Sequence, residues 1–232
     1  MGTVCSYTRF FAQVWFLTKK DLLIEWRTKE ILTTTVFFAV LIAILCSIAC
    51  HLSGIPPICI AAPALWLSIA FSSLFSVGRM WQRERDNQAM TVLLLAPIAR
   101  SSIFLAKVLG MLICTTLMEC LVLPVIAVLT HLNLVEILLP LLLLLLLGNI
   151  GIAFMGTLFG FMTIRTRARD LAIASVVLPI LTPSLLCAVA GTRELLEGAI
   201  TAEWMDWVLL LLVFDGVAAT LSLATFYFLL EE

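Results

Sequence analysis

The chain has 232 residues, 62% of them hydrophobic and only 12% charged, a makeup far outside that of a soluble globular domain. Its formal net charge of -1 gives no reason to expect nucleic acid, so the charges inform only through their placement. Crossing a bilayer as helix takes about 20 apolar residues, so this length holds about six spans and leaves no room for a soluble catalytic domain.

Residues 1–30 are neither a span nor a plain polar tail. In "RFFAQVWFLTKKDLLIEWRTKEIL" the residues Phe11, Val14, Trp15, Leu22, Leu23 and Trp26 recur at three-to-four residue spacing between basic groups. That spacing predicts an amphipathic helix lying in the membrane interface. No cleavable signal peptide is expected, because the first charge-free run follows this long polar start.

Residues 31–230 read as an all-α, six-span membrane domain. Uncharged apolar runs place the spans at Ile31–Cys50, Ile58–Val77, Ile103–Thr130, Ile137–Met162, Leu171–Ala190 and Trp207–Leu230. Thirteen of the fourteen Lys and Arg fall in the N-terminal tail, between Arg79 and Lys107, or at Arg165, Arg167 and Arg169; Arg193 alone lies on the other side. By the positive-inside rule those segments, and both termini, are cytoplasmic. Two outer connections, "HLSGIPP" and "HLNLVE", read as tight turns. The third, "GTRELLEGAITAEWMDW", is longer and acidic, with Glu194, Glu197, Glu203 and Asp206 beside Trp204 and Trp207. It reads as an interfacial aromatic belt or as a contact for an outside partner.

Between spans two and three, residues 79–102 hold "RMWQRERDNQAMTVLLLAPIARSS". After Arg79, Arg83 and Arg85, the positions Met90, Leu93, Leu94 and Pro97 follow i, i+3, i+4 and i+7, which predicts a short helix with one apolar side. It ends near Ala96, since the residue before a proline avoids the helical region. Ser101 and Ser102 are candidate caps for the third span. A short amphipathic helix between two spans can fit a groove on a soluble partner and move the spans with it, or rest on lipid as a linker.

Several polar groups fall inside spans. Glu119 lies ~18 Å along the helix from Lys107 at ~1.5 Å per residue, near mid-membrane. A carboxylate there is costly, so it is expected to be neutralised, paired or turned inward, as an ion-path group or as a helix-to-helix hydrogen bond. Asp215, past Trp207, is expected nearer the outer end of the last span. Pro179 and Pro183 remove two backbone donors from the fifth span and predict a kink that lines a path, hinges, or simply packs. A basic approach, Arg165, Arg167, Arg169 and Asp170, precedes that span. His51 and His131 stand at outer span ends, either as interfacial anchors or as candidate haem contacts, since neutral imidazole binds iron. The seven cysteines, Cys46 and Cys50 included, read as small apolar fillers.

Some chemistry is missing from the sequence. No lysine follows a glycine, so the phosphate-cradling G-x-x-x-x-G-K-[ST] loop is absent and the chain has no ATP site of that kind. Two histidines and no C-x-x-C pair leave no zinc motif and no C-x-x-C-H haem attachment signal. The chain is therefore not expected to be an enzyme or to bind a metal or cofactor of its own.

Three segments carry a family likeness: "RMWQRERDNQAMTVLLLAPIARSSIFLAKVLG", "LMECLVLPVIAVL" with Glu119 and Pro124, and "GTLFGFMTIRTRARDLAIASVVLPILTPSLLCAV" with its Arg-Ala-Arg-Asp approach to a proline-bearing span. Together they resemble the CcmB family, permease subunits of the ABC-type haem exporter used in cytochrome c maturation, and the likeness extends over nearly the whole chain. The sequence departs at Gly78-Arg79 and Asn87-Gln88-Ala89, where family members often carry an acid or a glycine, and in the small residues before Lys107. These departures bear on the partner interface and leave the pattern intact. The resemblance implies a place in the bacterial inner membrane and a complex with a separate ATPase, CcmA, with CcmC and CcmD, serving the haem chaperone CcmE. Haem would be the substrate, and ATP would be used only through the partner.

Three readings follow. In the first, two copies form a pathway while ATPase subunits grip the Met90–Pro97 helices. In the second, the chain is a non-transporting scaffold that turns hydrolysis into rearrangement of a haem-handling partner. In the third, it is a general ABC exporter permease for another substrate.

Overall fold

The computed structural model describes residues 2–54, 56–86, 100–130, 137–162, 169–198 and 202–229. These residues form helices only: α1 (Gly2–Thr28), α2 (Glu30–Ser53), α3 (Pro57–Asp86), α4 (Arg100–Thr130), α5 (Leu138–Met162), α6 (Arg169–Leu196) and α7 (Ala202–Leu229). Helices α2 to α7 are long and apolar enough to cross a membrane, as the uncharged runs predict. The chain is thus an all-α, multi-pass membrane protein. The expected short helix at Met90–Pro97 falls outside the described residues, as do Arg165, Arg167 and His131.

Two helices run beyond the predicted spans. Helix α3 continues past Val77 through Gly78 and Arg79 to Asp86, so this charged lead is helix and not connection. At the other end of the bundle, α6 reaches Leu196 and α7 starts at Ala202, which shrinks the expected long acidic connection to 197–201. Gly198 closes α6 with φ +88°, and its N–H donates to the Leu195 carbonyl at 3.2 Å. Charge ended the predicted spans, yet a charged sequence stays helical once it has left the hydrocarbon.

Helix α5 is the centre of the bundle and packs against α3, α4, α6 and α7. Inside a bilayer, lipid tails are as apolar as leucine, so helices associate through close packing and polar contacts. Helix α5 achieves the close packing with glycines on the side facing α3. The Trp66 ring lies on Gly148, the Trp81 ring on Gly160 and Val77 on Gly156, positions where any β-carbon would collide. Both tryptophans are fully buried. Near the end of the bundle that carries α1, aromatic rings tie four helices together. Phe161 of α5 packs on Trp81 of α3 at 5.6 Å and on Phe226 of α7 at 4.9 Å between centroids, and Phe226 packs on Phe104 of α4 at 4.7 Å.

Candidate functional site

Residues 87–99 connect α3 to α4, and both roots of this connection are fixed to the bundle. On the α3 side, Trp81 is wedged onto Gly160 and Phe161, one helical turn before Arg85. On the α4 side, Ser102 and Phe104 are fully buried and Lys107 is 4% exposed. The Lys107 ammonium lies 2.7 Å from Asp21 Oδ2 on α1 and 5.9 Å from the centroid of the Trp81 ring. One buried cation therefore joins α1, α3 and α4 two turns into α4. Arg83 and Arg85 sit on the last turns of α3, with side chains outside the described residues.

Helix α1 docks on α4 by an unexpected face. Its large apolar residues Phe11, Trp15, Leu23 and Trp26 are all more than half exposed, while Val14, Thr18 and Glu25 are buried. The docking contacts are polar. Thr18 Oγ1 donates to the Ala106 carbonyl at 3.2 Å, Ser102 Oγ donates to Gln13 Oε1 at 3.4 Å, and Lys107 binds Asp21. Aromatic residues so turned outward suit an interfacial helix whose apolar side meets lipid, while hydrogen bonds hold its other side to protein. At the elbow into α2, Lys29 adopts φ +53° and Glu25 Oε1 accepts the Leu32 N–H at 2.9 Å.

A second polar group lies mid-bundle. Asn149 Nδ2 on α5 donates to Glu119 Oε2 on α4 at 2.8 Å, and both side chains are buried. Glu119 Oε1 and Asn149 Oδ1 have no hydrogen-bond partner. Asp215 of α7 is also buried, with neither carboxyl oxygen hydrogen-bonded, and rests on the Gly151 backbone, where a β-carbon would stand 2.7 Å from Oδ1. Asn149 and Gly151 are two residues apart and so point to opposite flanks of α5; Glu119 and Asp215 approach from those flanks and do not pair. Counted from the ends of their helices away from α1, Glu119, Asn149 and Asp215 each lie roughly 16–20 Å deep. Asp215 is therefore level with Glu119 and not nearer the end, because α7 begins five residues before Trp207.

Pro179 and Pro183 lie within one continuous helix, and both are exposed. Thr182, between them, returns its hydroxyl to the Leu178 carbonyl at 2.8 Å. Neither ring faces the core formed by the described residues. Their outward face, with Thr182 and Leu186, is left exposed by the described residues. Arg169 and Asp170 open α6, with side chains outside the described residues.

At the end opposite α1, His51 is exposed and lines a cleft of about 310 Å³ between α2, α3 and α4, together with Ser47, Cys50 and Thr130. No group of three metal-binding side chains occurs among the described residues. Trp204, expected in an interfacial belt, is buried at 6% exposure, because the first turn of α7 packs into the protein core. Arg193 forms an exposed pair with Glu197 at 2.7 Å.

Sequence reasoning missed Asn149, the Lys107–Asp21 pair, and Thr192, whose Oγ1 accepts the Trp66 Nε1–H at 2.9 Å. The available signals were an asparagine within an uncharged run, a lysine several residues inside a span, and an acid in a basic tail.

Comparison with known proteins matches these same helices. A curated relative, heme exporter protein B of Rhodobacter capsulatus, is 30% identical over 139 residues, covering 60% of this chain and 63% of the relative. The match thus spans less than two thirds of that relative's length. The model of the CcmB protein family matches residues 12–229, from α1 through α7, and so covers every helix that builds the features above. The chain belongs to the CcmB family.

Proposed function

We propose that the chain is the membrane-embedded permease subunit of an ABC-type haem exporter, coupling hydrolysis by a separate ATPase to haem export or haem-chaperone release in c-type cytochrome biogenesis. The observation that carries this reading is the clamping of both roots of the 87–99 connection. Trp81 seated on α5, and Lys107 held against Trp81 and Asp21, fix the end of α3 and the start of α4 to the bundle. A push on Met90, Leu93, Leu94 and Pro97 would then reach α3, α4, α5 and α7 together. The basic groups at this end favour a cytoplasmic orientation, with both termini in the cytoplasm of a bacterial inner membrane. An ATPase of the CcmA kind would dock there, CcmC and CcmD would join within the membrane, and CcmE would be served on the far side.

The bundle interior is filled by Trp66, Phe104, Met111 and Leu144. A haem-sized molecule would therefore travel along a surface of the chain, and the uncovered face of α6 around Pro179 and Pro183 supports a second copy there. Exposed His51, with His131, remains a candidate contact along such a route, whereas the buried Glu119 and Asp215 would reach it only through an opening of the bundle.

Purification of the native complex from cells making c-type cytochromes tests the assignment. An ATPase and a CcmC-like chain are expected to co-purify, and vesicles carrying the complex are expected to accumulate haem with ATP. Co-purification without haem accumulation would favour the scaffold reading, and an unrelated set of partners would overturn both.

A further inference from the structure

Because α1 docks on α4 through polar contacts, its apolar side stands away from the bundle and leaves a wedge between α1 and the middle of α4. The wedge has a volume of about 590 Å³ and is walled by Leu22, Leu23 and Trp26 of α1 and by Ile113, Leu117 and Leu121 of α4. Leu23, Trp26, Leu117 and Leu121 are 45–75% exposed, so the wedge opens sideways toward lipid. Lys19, Lys29 and the acid Glu25 border it. The acids beside them are already engaged. Asp21 is shared between Lys20 at 3.2 Å and Lys107 at 2.7 Å, and Glu25 accepts the Leu32 N–H. Among the described side chains, Lys19 and Lys29 have no acid assigned.

An apolar slot along a transmembrane helix, with Lys19 and Lys29 about 15 Å apart on either side of Leu22, Leu23 and Trp26, matches an amphiphile with one anionic head and long chains. We propose that the wedge between α1 and α4 seats one anionic phospholipid, its phosphate held by Lys19 and Lys29 and an acyl chain laid along Ile113 to Leu121. Lysines beside an anionic headgroup favour anionic over zwitterionic lipid, here on the order of tenfold. The walls alone would take any acyl chain, and the selectivity lies in the lysines.

The test is native mass spectrometry of the purified complex after exchange into detergent containing equal phosphatidylglycerol and phosphatidylcholine. One phosphatidylglycerol per copy is expected to remain, preferred roughly tenfold over phosphatidylcholine. Lys19→Gln with Lys29→Gln should abolish that preference, and Leu117→Trp should lower retention of both lipids by filling the slot. Both variants alter exposed side chains, and an unchanged melting temperature verifies their fold. Equal retention of the two lipids by the unaltered protein, a phosphatidylglycerol preference that survives Lys19→Gln with Lys29→Gln, or lipid retention that survives Leu117→Trp, overturns the proposal. Displacement of the lipid by chain-free glycerol phosphate overturns the acyl seat.

Discussion

Lys107 holds its ammonium group 5.9 Å from the centre of the Trp81 ring, and these two residues belong to the two helices that flank the 87–99 connection. A desolvated cation over an indole is worth up to about 2 kcal/mol. Its counter-charge, Asp21, comes from α1, so the N-terminal helix helps to hold together the two roots of the connection.

The pair should respond asymmetrically. The Lys107 side chain is 5% exposed and that of Asp21 17%, so the lysine depends more on its partner. Asp21→Asn is expected to cost about 2–4 kcal/mol and Lys107→Met about half that, while the double variant recovers part of the loss. Thermal unfolding in detergent reads this out at about 2–4 °C per kcal/mol. Equal and additive losses would contradict the linkage.

Gly160 and Gly148 test the packing of α3 on α5. A β-carbon at either position collides with a buried indole, so Gly160→Ala and Gly148→Ala should each destabilise by about 1–3 kcal/mol. Trp81→Leu should relieve Gly160→Ala and leave Gly148→Ala unrelieved, since Gly148 meets Trp66. Melting curves of the four variants decide the point.

The mid-bundle hydrogen bond gives a third prediction. Asn149→Leu strands a buried Glu119 carboxyl and Glu119→Leu strands a buried amide, each costing about 1–3 kcal/mol. Removing both with Asn149→Leu/Glu119→Leu should cost less than the sum, because two apolar groups then meet without an orphan. If the double variant is stable but fails to export haem, the pair serves the transport step; if it is active, the pair serves packing.

What the sequence made legible followed physical strength. Apolar runs near span length identified all six spans, and the three-to-four residue spacing of Phe11 to Trp26 identified α1. The docking face of α1 was not legible, because in a membrane the largest apolar residues seek lipid and a short list of polar ones makes the protein contact. Asn149 was hidden for a related reason: one amide leaves an uncharged run unbroken, and its role exists only through Glu119, 30 residues away in sequence. Trp204 was misread because tryptophan suits both an interface and a core, and only the packing of α7 decides between them. The position of Asp215 depended on a helix start that charge counting set five residues late.

The central claim, that a borrowed power stroke enters through the 87–99 connection, is tested most directly by replacing Leu93 or Leu94 with Asp and measuring c-type cytochrome formed per ATP hydrolysed. A charge on an apolar anchor in a partner's groove costs about 2 kcal/mol or more, so the yield should fall at least tenfold while membrane insertion and ATPase activity persist. An unchanged yield per ATP in both variants would contradict the account.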